Sequence, residues 1–293
     1  MLLLFTLEKN QSSPYLKKPS WLRIKLPSAD EYSQMKGVLN EQHLHTICES
    51  GACPNKGECW SAGTATFMIL GNICTRNCGF CNVTTGKPLP PDPREPMRVA
   101  EAARKTKVKH CVITSVDRDD LPDGGAGIWA ETITAVKQLC PGTTIEALIP
   151  DFKGREDDIQ KVIDAAPEVI SHNLETVRRL TAQVRTFAKY ETSLKVLKYI
   201  ASKGIRTKSG IMLGLGENEE EILETMDDLL AVECEVLTIG QYLQPSAGNL
   251  RVQKYVTPED FERYGEIALK KGFRFVESAP LVRSSYRAEK HVK

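Results

Sequence analysis

Six of the nine cysteines in this 293-residue chain form two groups of three between residues 48 and 81. The first triplet has C-x4-C-x5-C spacing and the second triplet has C-x3-C-x2-C spacing; they consist of Cys48, Cys53 and Cys59, and of Cys74, Cys78 and Cys81. Thiolates are soft ligands that suit zinc, Cu(I) and iron–sulfur clusters. Three thiolates leave the fourth position of a metal centre open, which is what a catalytic centre needs. The spacing therefore predicts metal chemistry.

Disulfides and structural zinc are the two alternatives for these cysteines. An odd total excludes a fully paired disulfide framework, and a chain of this length does not need crosslinks to fold. Structural zinc sites use four protein ligands, so each triplet would need a fourth, such as His43, His45 or His110. Neither triplet has the paired C-x2-C spacing of zinc ribbons and fingers. We therefore favour iron–sulfur clusters and keep zinc as the alternative.

The composition is that of an ordinary globular chain, with 41% hydrophobic residues, 26% charged residues and a formal net charge of +1. This balance disfavours nucleic acid as a partner, since a nucleic-acid surface needs clustered excess Lys and Arg. The longest uncharged run, residues 59–75, is too short and too polar to span a bilayer. The apolar residues 1–5 lack the basic region and cleavage site of a signal peptide. We predict a reducing, cytoplasmic location and no membrane partner.

Short apolar runs alternate with amphipathic runs after the first triplet. Strands are predicted at 64–70, 110–114, 144–148, 168–171, 206–213 and 236–243, and helices at 96–107, 128–139, 156–166, 191–203 and 219–231. The first sixty residues are predicted to be irregular because four prolines interrupt them. The alternation favours a parallel α/β sheet, either a partial or full barrel or a doubly wound open sheet. In both architectures the site lies at the C-terminal ends of the strands, where the second triplet follows the first strand.

The run CTRNCGFC at residues 74–81 resembles the signature of radical S-adenosylmethionine (SAM) enzymes, including the aromatic residue before the last cysteine. With C-x4-C-x5-C a short distance upstream, the chain is similar to the lipoyl synthase family. Further similar segments are 114–125, 171–177, 208–217, 240–246 and the terminal RSSY motif at 283–286. The resemblance implies a partial (β/α)6 barrel of the radical SAM type at residues 61–275. An N-terminal extension at 1–60 then carries the first triplet, and a tail at 276–293 carries the RSSY motif.

This resemblance also implies a reaction. The family is a sulfurtransferase that inserts sulfur at C6 and C8 of an octanoyl group, held as an amide on a lysine of a lipoyl-carrier protein domain. These C–H bonds are not acidic, so a 5′-deoxyadenosyl radical breaks them where a general base would fail. The implied partners are an octanoylated carrier domain (the E2 subunit of a 2-oxoacid dehydrogenase or the glycine cleavage H protein), an electron donor such as flavodoxin or ferredoxin, and an iron–sulfur carrier that rebuilds the cluster.

The resemblance further implies two [4Fe–4S] clusters. The second triplet holds the cluster whose open iron binds SAM, and the first triplet holds an auxiliary cluster that donates sulfur and is consumed. A serine of the RSSY motif is the fourth auxiliary ligand, by analogy Ser285, although spacing alone does not separate it from Ser284. A serine oxygen binds iron–sulfur centres poorly compared with thiolate, which suits a ligand that must leave.

Two residues after the fourth predicted strand, Asn173 and Glu175, are implied to bind the ribose hydroxyls of SAM. From the residues alone, the alternative is a helix N-terminus with an Asn cap and an early Glu. Residues 210–217 are predicted to run along the adenine. The remaining cysteines, Cys111, Cys140 and Cys234, are predicted to be packed thiols. Four basic residues at the C-terminus either dock an acidic carrier domain or belong to a solvated tail.

Two other functions stay open at this stage. The first is another radical enzyme that inserts sulfur, either a biotin synthase-like enzyme acting on a small molecule or a methylthiotransferase acting on RNA, although the balanced charge disfavours RNA. The second is a non-catalytic zinc-binding protein. A brown, air-sensitive product of anaerobic purification distinguishes the radical enzymes from a colourless zinc protein.

Overall fold

The computed structural model describes residues 16–23, 29–51 and 53–292, with the side chains of residues 29–34 not described. The apolar residues 1–5 therefore lie outside the described residues. Within the described part, no helix is long and apolar enough to cross a membrane.

The N-terminal region contains helices that the sequence analysis missed. A 3-10 turn at Ser20–Leu22 is followed by α1 (Ala29–Glu41), α2 (Ile47–Ser50) and α3 (Lys56–Ser61). The prediction that the first sixty residues are irregular is wrong for α1, which has 13 residues. Proline interrupts a helix only near its own position, and Pro27 and Pro54 leave a long proline-free interval between them.

Seven parallel strands build the main sheet, and most of its connections are helical. In chain order the elements are β1 (Thr64–Ile69), β2 (Ile73–Cys74), β3 (Thr84–Thr85), α4 (Glu95–Thr106), β4 (His110–Ser115), α5 (Ala126–Leu139), β5 (Thr144–Leu148), α6 (Glu156–Asp164), β6 (Val169–Ser171), α7 (Thr181–Val184), α8 (Tyr190–Ser202), β7 (Arg206–Leu213), α9 (Glu219–Ala231), β8 (Val236–Gln241), α10 (Pro258–Lys271) and β9 (Phe275–Ser278). The short strands β2 and β3 pair only with each other, and a 3-10 helix at Ala288–Val292 follows β9.

The order of the strands identifies a partial barrel. The main sheet runs β1-β4-β5-β6-β7-β8-β9, and every neighbouring pair is parallel. A doubly wound sheet would reverse its strand order, so that alternative is wrong. Right-handed crossovers in sequential order place the helices on one face and curl the sheet. Because β1 and β9 are the two edges of the sheet, the barrel is open between them.

The sequence prediction of the partial barrel is confirmed, and the structure adds α10 and β9 to the six predicted strands. The missed strand β9 is short and only half buried along its length, so it lacks an apolar run. Local chemistry sets the helix ends: Asn218 and Glu221 form a capping box at the start of α9, and Gly204 follows α8 with φ +74°. That left-handed conformation favours glycine at a helix end.

A buried ion pair lies inside the sheet. The Nζ atom of Lys208 is 2.9 Å from both carboxylate oxygens of Glu146, and neither side chain is exposed to solvent. The hydroxyl of Ser171 donates to the same carboxylate at 2.9 Å. His110 packs here as well, with its Nδ1 atom 2.8 Å from the Thr144 hydroxyl, and burial lowers its pKa to about 3. His110 therefore lies among these polar groups and makes no hydrogen bond with a cysteine.

Candidate functional site

The second triplet lies in the loop that follows β1. The Cys74 sulfur accepts hydrogen bonds from the backbone N–H groups of Arg76 (3.4 Å) and Asp117 (3.3 Å). The Cys81 sulfur accepts one from the N–H of Val83 at 3.4 Å. Donors directed at sulfur stabilise a thiolate, which is the form in which a cysteine binds a metal. These bonds reach two of the three cysteines.

Loops after β6 and β8 hold this segment from the other side. The N–H of Gly79 donates to the Val184 carbonyl at 2.9 Å, and the N–H of Leu250 donates to the Gly79 carbonyl at 3.0 Å. The Asn249 amide donates to the Cys81 carbonyl at 2.9 Å. A Cβ atom at position 79 would lie 2.9 Å from a carbon of Leu250, so this close approach needs glycine. The triplet is thus enclosed by the C-terminal ends of several strands.

Arg76, between the first two cysteines of the second triplet, is a residue that the sequence analysis did not single out. Its guanidinium makes two bidentate pairs, with Asp119 at 2.6 and 2.9 Å and with Asp151 at 2.8 and 2.9 Å. A third carboxylate, Asp117, lies 3.3 Å from Nη1. The four hydrogen bonds and the additional ion pair connect the loops after β1, β4 and β5.

The three carboxylates around Arg76 have different pKa shifts. Burial raises the pKa of Asp117 to about 6, against the effect of the nearby guanidinium. Hydrogen bonds from Arg76 lower the pKa of Asp119. At Asp151, burial favours the neutral acid, but the hydrogen bonds from Arg76 outweigh it and lower the pKa to about 2. Both bidentate partners of the guanidinium are therefore ionised at neutral pH.

The thiols of the second triplet are buried enough to favour their protonated form. Burial raises the pKa of Cys74 to about 11 and that of Cys78 to about 12, and it also raises the pKa of Cys81. Metal binding displaces protons from such thiols, so metal affinity rises with pH. Within the described ranges, no three Cys, His, Asp or Glu side chains converge on a single ion. A [4Fe–4S] cluster instead takes each thiolate on a different iron.

The first triplet lies on α2, α3 and the turn between them. The thiol of Cys48 is hydrogen-bonded to Cys53, which raises the pKa of Cys48 and lowers that of Cys53 to about 6. Burial raises the pKa of Cys59 to about 12, opposed by a hydrogen bond from the backbone N–H of Arg287. The Asn82 amide donates to the Ser50 carbonyl at 2.8 Å and so joins the segments of the two triplets.

The C-terminal tail packs against the first triplet, so its interpretation as a solvated tail is wrong. The Asn55 amide donates to the Leu281 carbonyl at 2.6 Å. The Tyr286 hydroxyl donates to Glu58 at 3.0 Å. Arg287 also lies within 3.8 Å of carboxylates on α3 and β9. These contacts bring the RSSY motif beside the first triplet, more than two hundred residues away along the chain.

The structure also places Asn173 and Glu175 next to this motif. Asn173 donates to Glu175 at 3.0 Å and to the Ser284 hydroxyl at 2.6 Å, and neither residue caps a helix. The helix-cap alternative is therefore wrong. Backbone bonds to Gly210 and Met212 hold Glu175 against β7, although its φ is +66°. A non-glycine residue in this conformation carries backbone strain.

A ligand with hydroxyl groups fits these two side chains. The Asn173 Oδ1 atom is buried and has no hydrogen-bond partner in the described part of the chain. Burial raises the pKa of Glu175, whose carboxylate accepts from Asn173. Buried acceptors without donors are costly, and ribose hydroxyls would supply those donors.

Two further cationic side chains, to which the sequence analysis gave no role in the site, act electrostatically on Glu175 and on one cysteine each. The charge of Arg283 acts on both Cys53 and Glu175, and burial lowers the pKa of this guanidinium. Arg185 is buried and donates to the Ser193 hydroxyl at 2.9 Å, and its charge acts on Glu175 and Cys78. Only spatial neighbours reveal these roles, since neither residue belongs to a cysteine motif. Two cations in this region favour anionic ligands.

Gly210→Ala is expected to weaken SAM binding about tenfold or more, because the added methyl group would lie 2.4 Å from the Thr238 hydroxyl and 3.2 Å from Asn173 Oδ1. Isothermal titration of the anaerobic protein with SAM measures the effect. Thr238→Ala in the same chain removes the closest clash and should restore part of the affinity. Unchanged affinity in the single variant would contradict the prediction that Asn173 binds the cofactor.

Comparison with known families agrees with this geometry. Residues 68–229 match the model of the radical SAM superfamily. A crystal structure of Streptococcus suis SuiB bound to S-adenosylmethionine superposes with a TM-score of 0.59 at 14% identity. The alignment covers 74% of this chain and 51% of SuiB, so the chain spans about half of that protein. The likeness shows a shared fold, and the chain belongs to the radical SAM superfamily.

Relatives that align over nearly their whole length identify the family within this superfamily. Lipoyl synthase of Parabacteroides distasonis is 61% identical over 278 residues, covering 95% of this chain and 99% of the relative. The mitochondrial lipoyl synthase of Nematostella vectensis is 56% identical over 288 residues, covering 98% and 99%. The chain therefore belongs to the lipoyl synthase family of sulfur-inserting radical SAM enzymes. This confirms the family prediction over the zinc-binding and other sulfur-inserting alternatives.

Proposed function

We propose that the protein converts an octanoyl-lysine of a lipoyl-carrier domain into lipoyl-lysine, using two [4Fe–4S] clusters and SAM. The observation that carries the proposal is the convergence of four separate segments: the two triplets, Asn173 with Glu175, and the RSSY motif. A 2.8 Å bond from Asn82 to Ser50 joins the two triplets, and a 2.6 Å bond from Asn173 to Ser284 joins Asn173 to the RSSY motif. A 2.6 Å bond from Asn55 to Leu281 then joins the tail to the first triplet. Sulfur insertion at two carbons needs a radical generator and a sulfur source close together, and this arrangement supports both.

Cys74, Cys78 and Cys81 hold the first cluster in this proposal. When bound, the cluster and SAM supply a carbon radical that removes hydrogen from an unactivated C–H bond. The chain itself orients the cofactor: Asn173 and Glu175 accept from the ribose, and residues 210–217 pass along the adenine. The loops after β6 and β8 hold the loop of the second triplet in place through the backbone bonds of Gly79.

Cys48, Cys53 and Cys59 hold the auxiliary cluster, which acts as the sulfur substrate, and Ser285 is its fourth ligand. The choice of Ser285 is supported by the engagement of the neighbouring hydroxyl, since Ser284 faces Asn173 at 2.6 Å. The Ser285 hydroxyl has no hydrogen-bond partner among the described residues, and its backbone carbonyl accepts from the Ala288 N–H at 3.4 Å. A hard oxygen ligand on a soft cluster leaves more readily than thiolate, which opens an iron while sulfide is given up.

The proposal extends to organisation and partners. Residues 1–60 form an extension that carries the first triplet, residues 61–275 the barrel, and residues 276–293 the tail. The partners are an octanoylated E2 domain or glycine cleavage H protein, a flavodoxin or ferredoxin, and an iron–sulfur carrier. A reducing cytoplasm suits nine cysteines that are all free in the structure.

Anaerobic reconstitution followed by a turnover assay tests the function. The protein should carry about eight iron atoms, two four-iron clusters, and should be brown. Incubation with reductant, SAM and an octanoylated carrier peptide should yield a peptide whose mass has increased by two sulfurs less the hydrogens lost. A colourless protein, or a peptide of unchanged mass beside abundant 5′-deoxyadenosine, would contradict the proposal.

Ser285→Ala should abolish lipoyl formation and leave the radical cluster in place. The variant lacks only the oxygen ligand of the auxiliary cluster, so cleavage of SAM to 5′-deoxyadenosine should persist. Product mass and 5′-deoxyadenosine are measured on one sample. Ser202→Ala, on the exposed end of α8, is the matched control and should behave as wild type. Wild-type lipoyl yield from Ser285→Ala would exclude Ser285 as the ligand.

A further inference from the structure

The last described helix lies at the N-terminal ends of the strands, beyond the loop of the second triplet. The 3-10 helix Ala288–Val292, here called the anchor helix, contacts β4 and β5. The Glu289 carboxylate accepts from the Thr64 hydroxyl at 3.0 Å, and the His291 carbonyl accepts from Arg206 at 2.5 Å. Thr64 and Arg206 are the first residues of β1 and β7. The second triplet lies at the other ends of the strands, whereas Cys59 of the first triplet lies close to Arg287 and Glu289 at the start of the anchor helix.

Burial fixes the anchor helix in this position. Ala288 has no exposed surface and His291 is 1% exposed. The imidazole of His291 packs on the ring of Phe275, the first residue of β9, with 5.9 Å between ring centroids. Neither ring nitrogen of His291 has a hydrogen-bond partner among the described residues. The side chain therefore contributes to the fold mainly through the volume that it fills.

A short series of backbone bonds links the anchor helix to the serines. The N–H of Ala288 donates to the Ser285 carbonyl at 3.4 Å, and the N–H of Tyr286 donates to the Arg283 carbonyl at 2.8 Å. The chain between Arg283 and Ala288 is thus a succession of tight turns. A displacement of the anchor helix would be transmitted to Ser285 over three residues.

We propose that the anchor helix holds Ser285 at the first triplet and that His291 is its positioning residue. The inference rests on the proposed role of Ser285. A serine oxygen is a weak ligand for an iron–sulfur centre, so its occupancy depends on a high local concentration. Insertion of His291 into the base of the barrel supplies that concentration by fixing the tail on the far side of Cys59 from Ser285. The auxiliary cluster of this protein is therefore held in part by packing that involves none of its proposed ligands.

His291→Ala is the test, because it leaves a cavity where the ring packed. The reconstituted full chain is mixed anaerobically with the iron chelator bathophenanthroline disulfonate. About half of the iron, the auxiliary share, should leave roughly tenfold or more faster than in wild type. Trypsin should also cleave after Arg283 and Arg287 faster, measured by mass. Formation of 5′-deoxyadenosine should stay at the wild-type rate.

Two control variants make the outcome specific. His291→Phe keeps a ring of similar size and loses only nitrogens that have no protein partner, so iron should leave it at the wild-type rate. Lys290→Ala changes an exposed neighbour and should also match wild type. Equal iron loss from His291→Ala and wild type would overturn the anchor, and so would equally fast loss from His291→Phe and His291→Ala.

The same assay separates this inference from the proposed function. If Ser285→Ala loses auxiliary iron and His291→Ala does not, the ligand assignment stands and the anchor is wrong. If Ser285→Ala keeps all of its iron, the assignment of the ligand fails first, and the inference falls with it.

Discussion

Arg76→Gln is expected to lose the radical cluster and with it all formation of 5′-deoxyadenosine. The substitution removes the charge that two bidentate pairs share and leaves the buried Asp151 carboxylate, 5% exposed, without its cation. Removing one partner of a buried ion pair costs about 3–5 kcal/mol, and here three carboxylates would repel one another under the ligand loop. Iron in the reconstituted protein should fall from about eight to about four atoms, as measured by a colorimetric iron assay.

The conservative variant Arg76→Lys should recover little of the 5′-deoxyadenosine formation that Arg76→Gln loses. An ammonium group keeps the charge but cannot make two planar forks at once, so we expect at least about tenfold less 5′-deoxyadenosine than wild type. Arg263→Lys is the matched control, because Arg263 also makes a bidentate pair, with Glu219, but both side chains are more than 40% exposed. Its formation of 5′-deoxyadenosine should stay within about twofold of wild type, since exposed ion pairs contribute little to stability. Full iron content in Arg76→Gln would show that the loop holds its geometry without these ion pairs.

Lys208→Met is expected to give the largest loss of stability. The two 2.9 Å contacts to Glu146 lie where neither side chain is exposed, so the variant buries a carboxylate with no cation. Breaking such a pair costs about 3–5 kcal/mol, which lowers Tm by roughly 10 °C in a chain of this length. Circular dichroism during anaerobic heating measures the change.

The second substitution Glu146→Gln should return most of the Tm lost in Lys208→Met, because it removes the unpaired charge. Lys161→Met is the matched control: its ammonium pairs with Asp158 at 3.0 Å but is 46% exposed. Its Tm should change by less than about 2 °C, as expected for a surface pair. If Lys208→Met and Lys161→Met have the same Tm, the interior pair does not carry the stability assigned to it.

The cysteines and the barrel were predictable because their signals are local. Spacing within each triplet and the alternation of apolar strands with helices are readable in short windows, and the strands at 144–148 and 206–213 have the predicted bounds. The prediction of the site at the C-terminal strand ends follows from the same alternation. Membership of the lipoyl synthase family then rested on several such windows together.

The partners of those motifs were not predictable in this way. Asp151, which holds Arg76, lies 75 residues further along the chain, and no local pattern marks it. The packing of the tail and the short strand β9 likewise depend on contacts that form only in the folded barrel. The helix-cap alternative for Asn173 failed for the same reason, since its partner Ser284 is 111 residues away. These features therefore depend on tertiary contacts that no local sequence pattern reveals.

The long sequence separation between the tail and its contacts determines the order in which the two triplets acquire their neighbours during synthesis. The loop of the second triplet meets Asp117 and Asp151 within 75 residues, so part of its surroundings exists while the chain is still being made. The partners of Asn55 and Glu58 lie 226 and 228 residues further along the chain and are therefore synthesised much later. Since non-local contacts form late, the first triplet lacks these contacts until Leu281 and Tyr286 have been synthesised. The part of the site around the first triplet is therefore completed after most of the barrel beside it.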